Sequence, residues 1–215
     1  MVFDAKSFSK DLKIARYAYQ YGDVIRHTLI EEYLNSLKEI DLTVYQNDTA
    51  KLAFWLNVYN GLTNYAIIKF EIKESMKEQV DFFKRPLVFI GTLEFSLDDI
   101  EHGLLRRNAR AHIEKKDPKL RLMVDAIDYR IHFALNCGAT SCPAIAFYTE
   151  KHLEEELTQA EISFVSQEFI VNHEEKIISC SSLFEWYRDD FENRFLNDSR
   201  YDEYEVILKE YNWKI

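Results

Sequence analysis

The chain has 215 residues, of which 47% are hydrophobic and 14% aromatic, with only five Gly and three Pro. This length is enough for one sizeable core and short for two independent domains, and the composition argues against a linker-rich or disordered chain. The formal net charge of −10 argues against non-specific binding to nucleic acid, which needs a basic face that neutralises phosphates. We therefore predict one domain that does not bind nucleic acid.

The chain has three cysteines: Cys137, Cys142 and Cys180. Three cysteines do not make a disulfide framework, so we expect a reducing compartment. Residues 1–23 are amphipathic and contain acidic side chains, without the uninterrupted apolar core of a signal peptide. The longest apolar run, 52–68, is too short and too interrupted to cross a bilayer. The sequence thus predicts a cytoplasmic protein that does not associate with membranes.

Residues 1–47 predict a helical hairpin. Apolar side chains recur every three or four positions over 4–21 and over 23–40, and Gly22 separates the two segments. A third helix is expected to begin at Asp48 or Thr49, either of which can cap it, and to run through residue 70.

The next elements are predicted from turn and cap residues. Segments 87–90 and 93–95 flank a Gly-Thr pair, which is typical of a tight β-hairpin. Ser96 has the character of an N-cap, so a helix is expected over 96–108, and Pro118 marks the first turn of another.

Residues 130–135 (RIHFAL) predict a strand, because β-branched and aromatic side chains precede a Gly/Ser/Pro break and the run is too short for a helix. Side chains alternate between the faces of a strand, so His132 and Asn136 are expected on one face and Cys137 on the other. His132 is therefore not the expected base for Cys137.

The last third of the chain predicts a long helix, a second hairpin and two more helices. The long helix begins after the cap Thr149 and ends near 165, the hairpin pairs 168–172 with 176–180, and the helices cover 183–191 and 201–211. The predicted fold class is α+β: a mainly helical single domain around a small, mostly antiparallel sheet. It divides into an N-terminal helical hairpin (1–47), a core (52–191) and a C-terminal helix (192–215).

Three asparagines, Asn57, Asn60 and Asn64, lie three and four positions apart on an otherwise apolar helix. Such a helix is buried, and each buried amide without a partner costs about 1–3 kcal/mol. The stripe is expected either to bind loop backbone or to line a polar pocket, where its amides would contact a substrate or orient a histidine. The sequence favours neither strongly.

A cysteine acts as a nucleophile when a cation, a histidine or free backbone N–H groups favour its thiolate. Small residues follow Cys137, so the N–H groups of that turn could converge on an oxyanion. His102, one helical turn before Arg106, is the best partner for Cys137 by residue type. The open alternatives are two structural thiols, a disulfide between Cys137 and Cys142, and a zinc site that includes His132.

Four motifs together resemble the domain-of-unknown-function 547 family, which occurs in bacterial proteins and in longer plant and animal proteins. The resemblance covers roughly residues 52–191 and supports one domain, but it implies no reaction. The motifs are residues 54–60 (FWLNVYN), 97–106 (LDDIEHGLLR), 130–138 (RIHFALNCG) with 141–143 (SCP), and 184–191 (FEWYRDDF). The family pattern implied for this chain comprises Asn57, Asn60, Glu101, His102, Arg130, His132 and Cys137.

The leading hypothesis is a cysteine-dependent hydrolase or acyl transferase that acts on an amide or thioester of a small molecule or peptide. Cys137 would attack, His102 would accept its proton, and Glu101 would orient that histidine. No cofactor or metal is expected. The alternative is a non-catalytic module with a polar groove for a peptide or partner; zinc binding and thiol redox chemistry are less favoured. The residues predicted to bind substrate are Asn57, Asn60, Arg106, Arg130, His132 and Ser141.

Overall fold

A computed structural model describes residues 2–215 and places its longest helix, α3 (Asp48–Lys69), at the centre. Every residue from position 50 to 64 of this helix is buried, as expected for a helix that is apolar on all sides. The Asn47 side chain caps it by accepting the backbone N–H of Ala50 at 2.8 Å. The predicted third helix is confirmed within one residue of the sequence bounds.

The predicted N-terminal hairpin is also confirmed. It consists of α1 (Ala5–Tyr21) and α2 (His27–Lys38), and Gly22 ends α1 in the left-handed conformation that favours glycine. Helix α1 packs closely against α3. A β-carbon on Gly61 of α3 would lie 2.4 Å from the ring of Phe8 in α1, so glycine is what allows this approach. The hairpin therefore covers one side of the central helix.

The two small sheets confirm the mainly helical α+β fold class. Strands β1 (Val88–Ile90) and β2 (Leu93–Phe95) form an antiparallel hairpin. In the second sheet, β3 (Phe169–Asn172) is antiparallel to β4 (Ile177–Ser181), and β4 is parallel to β5 (Glu205–Lys209).

The predicted C-terminal helix over 201–211 is wrong, because its central residues form β5. These residues, Glu-Val-Ile-Leu-Lys, pair along the whole of β4, with Ile177 opposite Glu205 and Ser181 opposite Lys209. A parallel partner distant in the chain decides the conformation here, and local periodicity does not reveal it.

The predicted strand over 130–135 is also wrong. Four of its residues form a short helix, α4 (Ile131–Ala134), in which the Leu135 N–H donates to the Ile131 carbonyl at 2.9 Å. All four side chains are buried, so tertiary packing overrides local β preference. The strand-face argument about His132 and Cys137 fails with it.

Helix α4 lies between the two apolar cores. Ile131 and Ala134 pack in the large core around α3, whereas Phe133 packs in a smaller aromatic core with Phe184 and Phe191. Both sides of α4 are thus anchored. This fixes the start of the cysteine segment, residues 135–148, which follows α4.

The predicted helix over 96–108 is observed as a π-helix, Asp99–Leu105, in which backbone hydrogen bonds join residues five positions apart. The Arg106 N–H donates to the Glu101 carbonyl at 2.9 Å, and the Asn108 N–H to the Gly103 carbonyl at 2.8 Å. This wider turn alters the directions of the side chains it carries.

The remaining predicted helices are shorter or shifted. Pro118–Leu122 is a 3-10 turn, and α5 (Leu153–Glu168) follows a 3-10 turn after Thr149. The segment 183–191 divides into α6 (Leu183–Trp186) and a 3-10 turn.

Two asparagines of the stripe bond to backbone outside α3, whereas Asn64 donates to the Asn60 carbonyl within the helix at 2.7 Å. Asn60 donates to the Ala134 carbonyl at 3.0 Å and accepts the Asn136 N–H at 2.8 Å. Asn57 both donates to the Tyr148 carbonyl, at 2.7 Å, and accepts the Tyr148 N–H, at 3.1 Å. These two asparagines hold the chain around the cysteines in place, as expected in the first of the two alternatives that the sequence left open.

Replacing Asn60→Ala is expected to destabilise the protein by about 1–3 kcal/mol for each backbone group left without a partner. Urea unfolding followed by circular dichroism measures this loss. Asn35→Ala, at an exposed position of α2, is the matched control and should change stability by less than about 0.5 kcal/mol. Equal stability of the two variants would contradict the positioning role of Asn60.

Candidate active site

A cleft of about 450 Å³, called the cysteine cleft below, is lined by all three residues predicted to be catalytic and by His132. Glu101 and His102 reach it from the π-helix, His132 from α4, and Cys137 and Cys142 from the loop that follows α4. The cleft is also lined by seven aromatic residues: Tyr59, Phe82, Phe83, Trp186, Tyr187, Tyr211 and Trp213. Residues that lie far apart in the chain, such as His102 and Cys137, therefore line the same cleft.

The two cysteines of this cleft are joined in a disulfide, Cys137–Cys142. The loop between them starts at Gly138, whose φ of +93° and whose close approach to Ile67 both favour glycine. The Tyr211 hydroxyl lies 3.3 Å from the sulfur of Cys137 and 3.1 Å from that of Cys142. Cys137 is thus not the free thiol that the leading hypothesis requires, and the disulfide alternative is the one observed.

Four of the five backbone N–H groups from Gly138 to Cys142 are already used. Gly138 donates to the Asn136 side chain at 2.9 Å, and Cys142 donates to the Ala139 carbonyl at 3.0 Å. The N–H groups of Thr140 and Ser141 donate to carbonyls of the C-terminal segment, at 2.7 and 3.2 Å. The predicted oxyanion site of converging N–H groups is therefore not preformed in this loop.

His102 is buried between two arginines. Its Nδ1 lies 3.1 Å from an Arg106 guanidinium nitrogen and its Nε2 lies 3.1 Å from an Arg110 guanidinium nitrogen. Burial lowers the pKa of His102 to about 4, and the two guanidinium charges act in the same direction against the attraction of Glu101. The imidazole is neutral at pH 7, and its single acceptor nitrogen faces an arginine instead of Cys137.

Glu101 is placed beside His102 by the π-helix. On a regular helix, consecutive side chains diverge by about 100°, whereas here the Glu101 carboxylate lies 3.6 Å from His102 Nδ1. The carboxylate accepts hydroxyl hydrogen bonds from Tyr59 at 2.9 Å and from Tyr187 at 2.5 Å. Burial alone would raise the pKa of Glu101, but the histidines and these two hydroxyls lower it overall, so this carboxylate is charged at neutral pH.

His132 belongs to a second ionic group that borders the cleft. Its Nε2 lies 2.7 Å from the Asp190 carboxylate, which also accepts two hydrogen bonds from Arg106, at 2.6 and 3.1 Å. The His132 ring stacks on Tyr187 with 3.9 Å between centroids, and the Arg106 guanidinium lies 4.9 Å from the same ring. Tyr187 therefore connects this group to Glu101.

Three predicted substrate contacts have other roles in the structure. Arg106 is 6% exposed and binds Asp190. Arg130 pairs on the surface with Asp128 at 2.7 Å and Glu154 at 2.6 Å, and the Ser141 hydroxyl accepts the N–H of Asn212 at 2.9 Å. None of the three lines the cysteine cleft.

Four residues of the site were not identified from the sequence: Tyr59, Tyr187, Asp190 and Tyr211. Tyr59, Tyr187 and Asp190 lie inside two of the motifs quoted above, so their position in the motifs was a usable signal. Tyr211 lies in the segment predicted as a helix and carried no such signal.

Within residues 2–215, no three His, Cys, Asp or Glu side chains are grouped so as to hold a metal ion. The same residues include no helix whose length and apolar content would let it cross a membrane.

The fold and the cleft define a mainly helical α+β protein with a disulfide beside a buried acid–base cluster. A family model described as "Protein of unknown function, DUF547" matches residues 44–165, more than half of the chain, and the protein belongs to this family. Comparisons with curated proteins and with solved structures gave no match. The match ends before Tyr187 and Asp190, so part of the observed site lies outside the matched segment.

Replacing Asp190→Asn is expected to destabilise the fold by about 3–5 kcal/mol, because the Arg106 charge is then buried without its partner. Burial alone would raise the pKa of Asp190, but its bonds to His132 and Arg106 hold it well below the usual range. The stabilisation by this carboxylate is therefore complete above about pH 4 and is lost as the pH falls further.

Urea unfolding at pH 7 and at pH 3 tests this prediction, and the difference between wild type and variant should shrink at the lower pH. Asp189→Asn, at the neighbouring exposed position, is the matched control and should lie within about 0.5 kcal/mol of wild type. Comparable losses in the two variants would show that the ionic group is not what stabilises this region.

Proposed function

We propose that the protein is a cytoplasmic thiol–disulfide oxidoreductase that exchanges electrons with a small-molecule or peptide thiol bound in the cysteine cleft. The observation that carries the proposal is that both sulfurs of one disulfide line a cleft large enough for such a ligand. In a reducing compartment, a disulfide is usually catalytic or redox-sensing and seldom structural.

The exchange proceeds in two balanced steps. A substrate thiolate attacks one sulfur of the disulfide, forms a mixed disulfide, and releases the other sulfur as a thiolate. A second substrate thiolate then attacks the substrate sulfur and releases the remaining cysteine. The protein gains two electrons, the substrate is oxidised to a disulfide, and the protons of the two substrate thiols are taken up by the cysteines at equilibrium. Because each step is reversible, the substrate pool sets the direction.

Two hydrogen-bond donors favour Cys142 as the sulfur that leaves. The Cys137 N–H points at the Cys142 sulfur at 3.1 Å, and the Tyr211 hydroxyl is closer to this sulfur than to that of Cys137. Burial, reinforced by the charge of Glu101, raises the pKa of Tyr211, so this hydroxyl keeps its proton and acts as a donor. Donors directed at a thiolate stabilise it, and the better-stabilised thiolate leaves faster. Cys137 then carries the substrate.

Trapping with oxidised glutathione tests this assignment. Reduced Cys142→Ser protein is expected to accumulate a glutathione adduct on Cys137. Reduced Cys137→Ser protein carries its adduct on Cys142 and should release it at least about tenfold faster when free thiol is added, because Cys142 is the better leaving group. Mass spectrometry identifies the modified residue and follows its loss. Equal adduct lifetimes in the two variants would contradict the assignment.

Cys180 provides an internal control in these measurements. Burial raises its pKa to about 11, so it should remain unmodified at pH 7. Wild-type protein should lose two free thiols on oxidation and retain the third. A protein that keeps all three thiols under mildly oxidising conditions would refute the oxidoreductase proposal.

The pH dependence of alkylation tests the role of Tyr211. In Cys137→Ser protein, Tyr211→Phe removes one donor to the Cys142 thiolate and should raise the pKa of that thiol by about one unit, corresponding to one hydrogen bond. Tyr201→Phe is a matched control, since this half-buried tyrosine lies outside the cleft. An unchanged alkylation profile in Tyr211→Phe would exclude a contribution from this hydroxyl.

A second candidate is the cysteine-dependent hydrolase or acyl transferase, acting in the reduced state. One observation favours it: Cys137, His102 and Glu101 line the same cleft although they lie far apart in the chain. It requires His102 to exchange its arginine contact for one with Cys137, and it requires N–H groups that the loop now uses internally. Turnover of thioester substrates by reduced protein that is abolished by His102→Gln would favour this candidate over thiol exchange.

A further inference from the structure

A second cleft, of about 1010 Å³, lies between α1 and α5, and the loop after Cys137 forms part of its wall. It shares Cys142 and Pro143 with the cysteine cleft, and its other lining residues are different. The chemistry proposed above for the cysteine cleft uses none of the α1 or α5 side chains.

The α1 wall of this cleft carries half-buried cations that have no carboxylate partner. Lys13 and Arg16 lie three positions apart, on one face of the helix, and each donates a hydrogen bond to a carbonyl of the loop: Ile145 at 3.4 Å and Gly138 at 3.0 Å. Within the described residues, no Asp or Glu lies within 4 Å of either cation, and the Arg16 Nε is buried without a hydrogen bond. Lys73, which is exposed and lies near Glu78, adds a third positive charge to the lining.

The α5 wall presents neutral polar groups at helical spacing. Gln159, Ser163 and Gln167 lie four positions apart and line the cleft. The two acidic residues of this wall are engaged elsewhere: Glu156 accepts hydrogen bonds from Thr149, and Glu168 pairs with Lys209 at 3.1 Å. The α1 side of the cleft is therefore cationic, with the carboxylates on the α5 side, although the chain as a whole is strongly acidic.

The loop wall offers unpaired backbone donors. Residues 144–147 (AIAF) belong to no helix or strand, and among residues 2–215 none of their N–H groups finds a hydrogen-bond acceptor. In an extended segment alternate N–H groups face the same side, so two of these four can bind the carbonyls of an added peptide strand.

We propose that this second cleft binds an extended acidic peptide. Its carboxylates pair with Lys13, Arg16 and Lys73, and its carbonyls accept N–H groups of residues 144–147. The α5 amides and hydroxyl bind the peptide from the other side. The volume suits several residues of a peptide and exceeds what a single small anion fills. This proposal does not depend on the redox chemistry of the cysteine cleft.

Fluorescence anisotropy with a labelled Glu-Ala-Glu-Ala-Glu peptide tests the proposal, with Lys-Ala-Lys-Ala-Lys as the reverse-charge probe. The acidic peptide should bind at least about tenfold more tightly, and its affinity should fall between 0.05 and 0.5 M salt as the charges are screened. Equal binding of the two peptides, or no binding of the acidic peptide, would overturn the proposal. Displacement by inorganic phosphate at the same concentration as the peptide would also overturn it, since it would indicate a small-anion site.

Charge-removing variants locate the site. The double variant Lys13→Gln with Lys73→Gln should weaken binding of the acidic peptide about tenfold, while Arg16 continues to hold the loop. Lys6→Gln with Lys10→Gln removes the same charge from exposed positions of α1 outside the cleft and should leave affinity within twofold. Equal losses in the two double variants would assign the effect to net charge and overturn the site. Circular dichroism confirms that each variant is folded.

Discussion

The buried amides of α3 are the constraint on which the rest of the structure depends. Asn60 holds the backbone at the start of the cysteine segment, at Ala134 and Asn136, and Asn57 holds it again at Tyr148. The chain between these points is irregular, and the two asparagines satisfy its buried backbone groups at both ends, where it meets the apolar core. The walls of both clefts follow from this arrangement, because both are built on the clamped segment.

The cysteine cleft combines a polarised interior with a disulfide at its edge. Glu101 is held as a carboxylate by two tyrosine hydroxyls, Asp190 is held as one by His132 and Arg106, and Tyr187 contacts both groups. Burying charges is costly unless they are paired or hydrogen-bonded: Asp190 is paired with Arg106, and Glu101 accepts hydrogen bonds from two hydroxyls. The cluster therefore gives the cleft a fixed pattern of charge, while the sulfurs are the covalently reactive part.

Elements with a strong local signal were predictable from the sequence, and those decided by distant contacts were not. The period of apolar residues identified α1, α2 and α3, and turn residues identified both hairpins. Residues 205–209 become a strand only because β4 lies beside them, and Ile131–Ala134 becomes a helix only because two cores meet there. Glu101, His102 and Cys137 line one cleft, yet the arginines around His102 and the hydroxyl of Tyr211 come from packing that no local pattern records.

Cys142 and Pro143 form a wall common to both clefts, and this has a thermodynamic consequence. If opening the disulfide changes the affinity of the second cleft for its ligand by some factor, then linkage requires that ligand to change the disulfide equilibrium by the same factor. A tenfold effect corresponds to about 1.4 kcal/mol, or about 30 mV for a two-electron couple. The thin wall between the clefts would then let occupancy on one side set the reduction potential on the other.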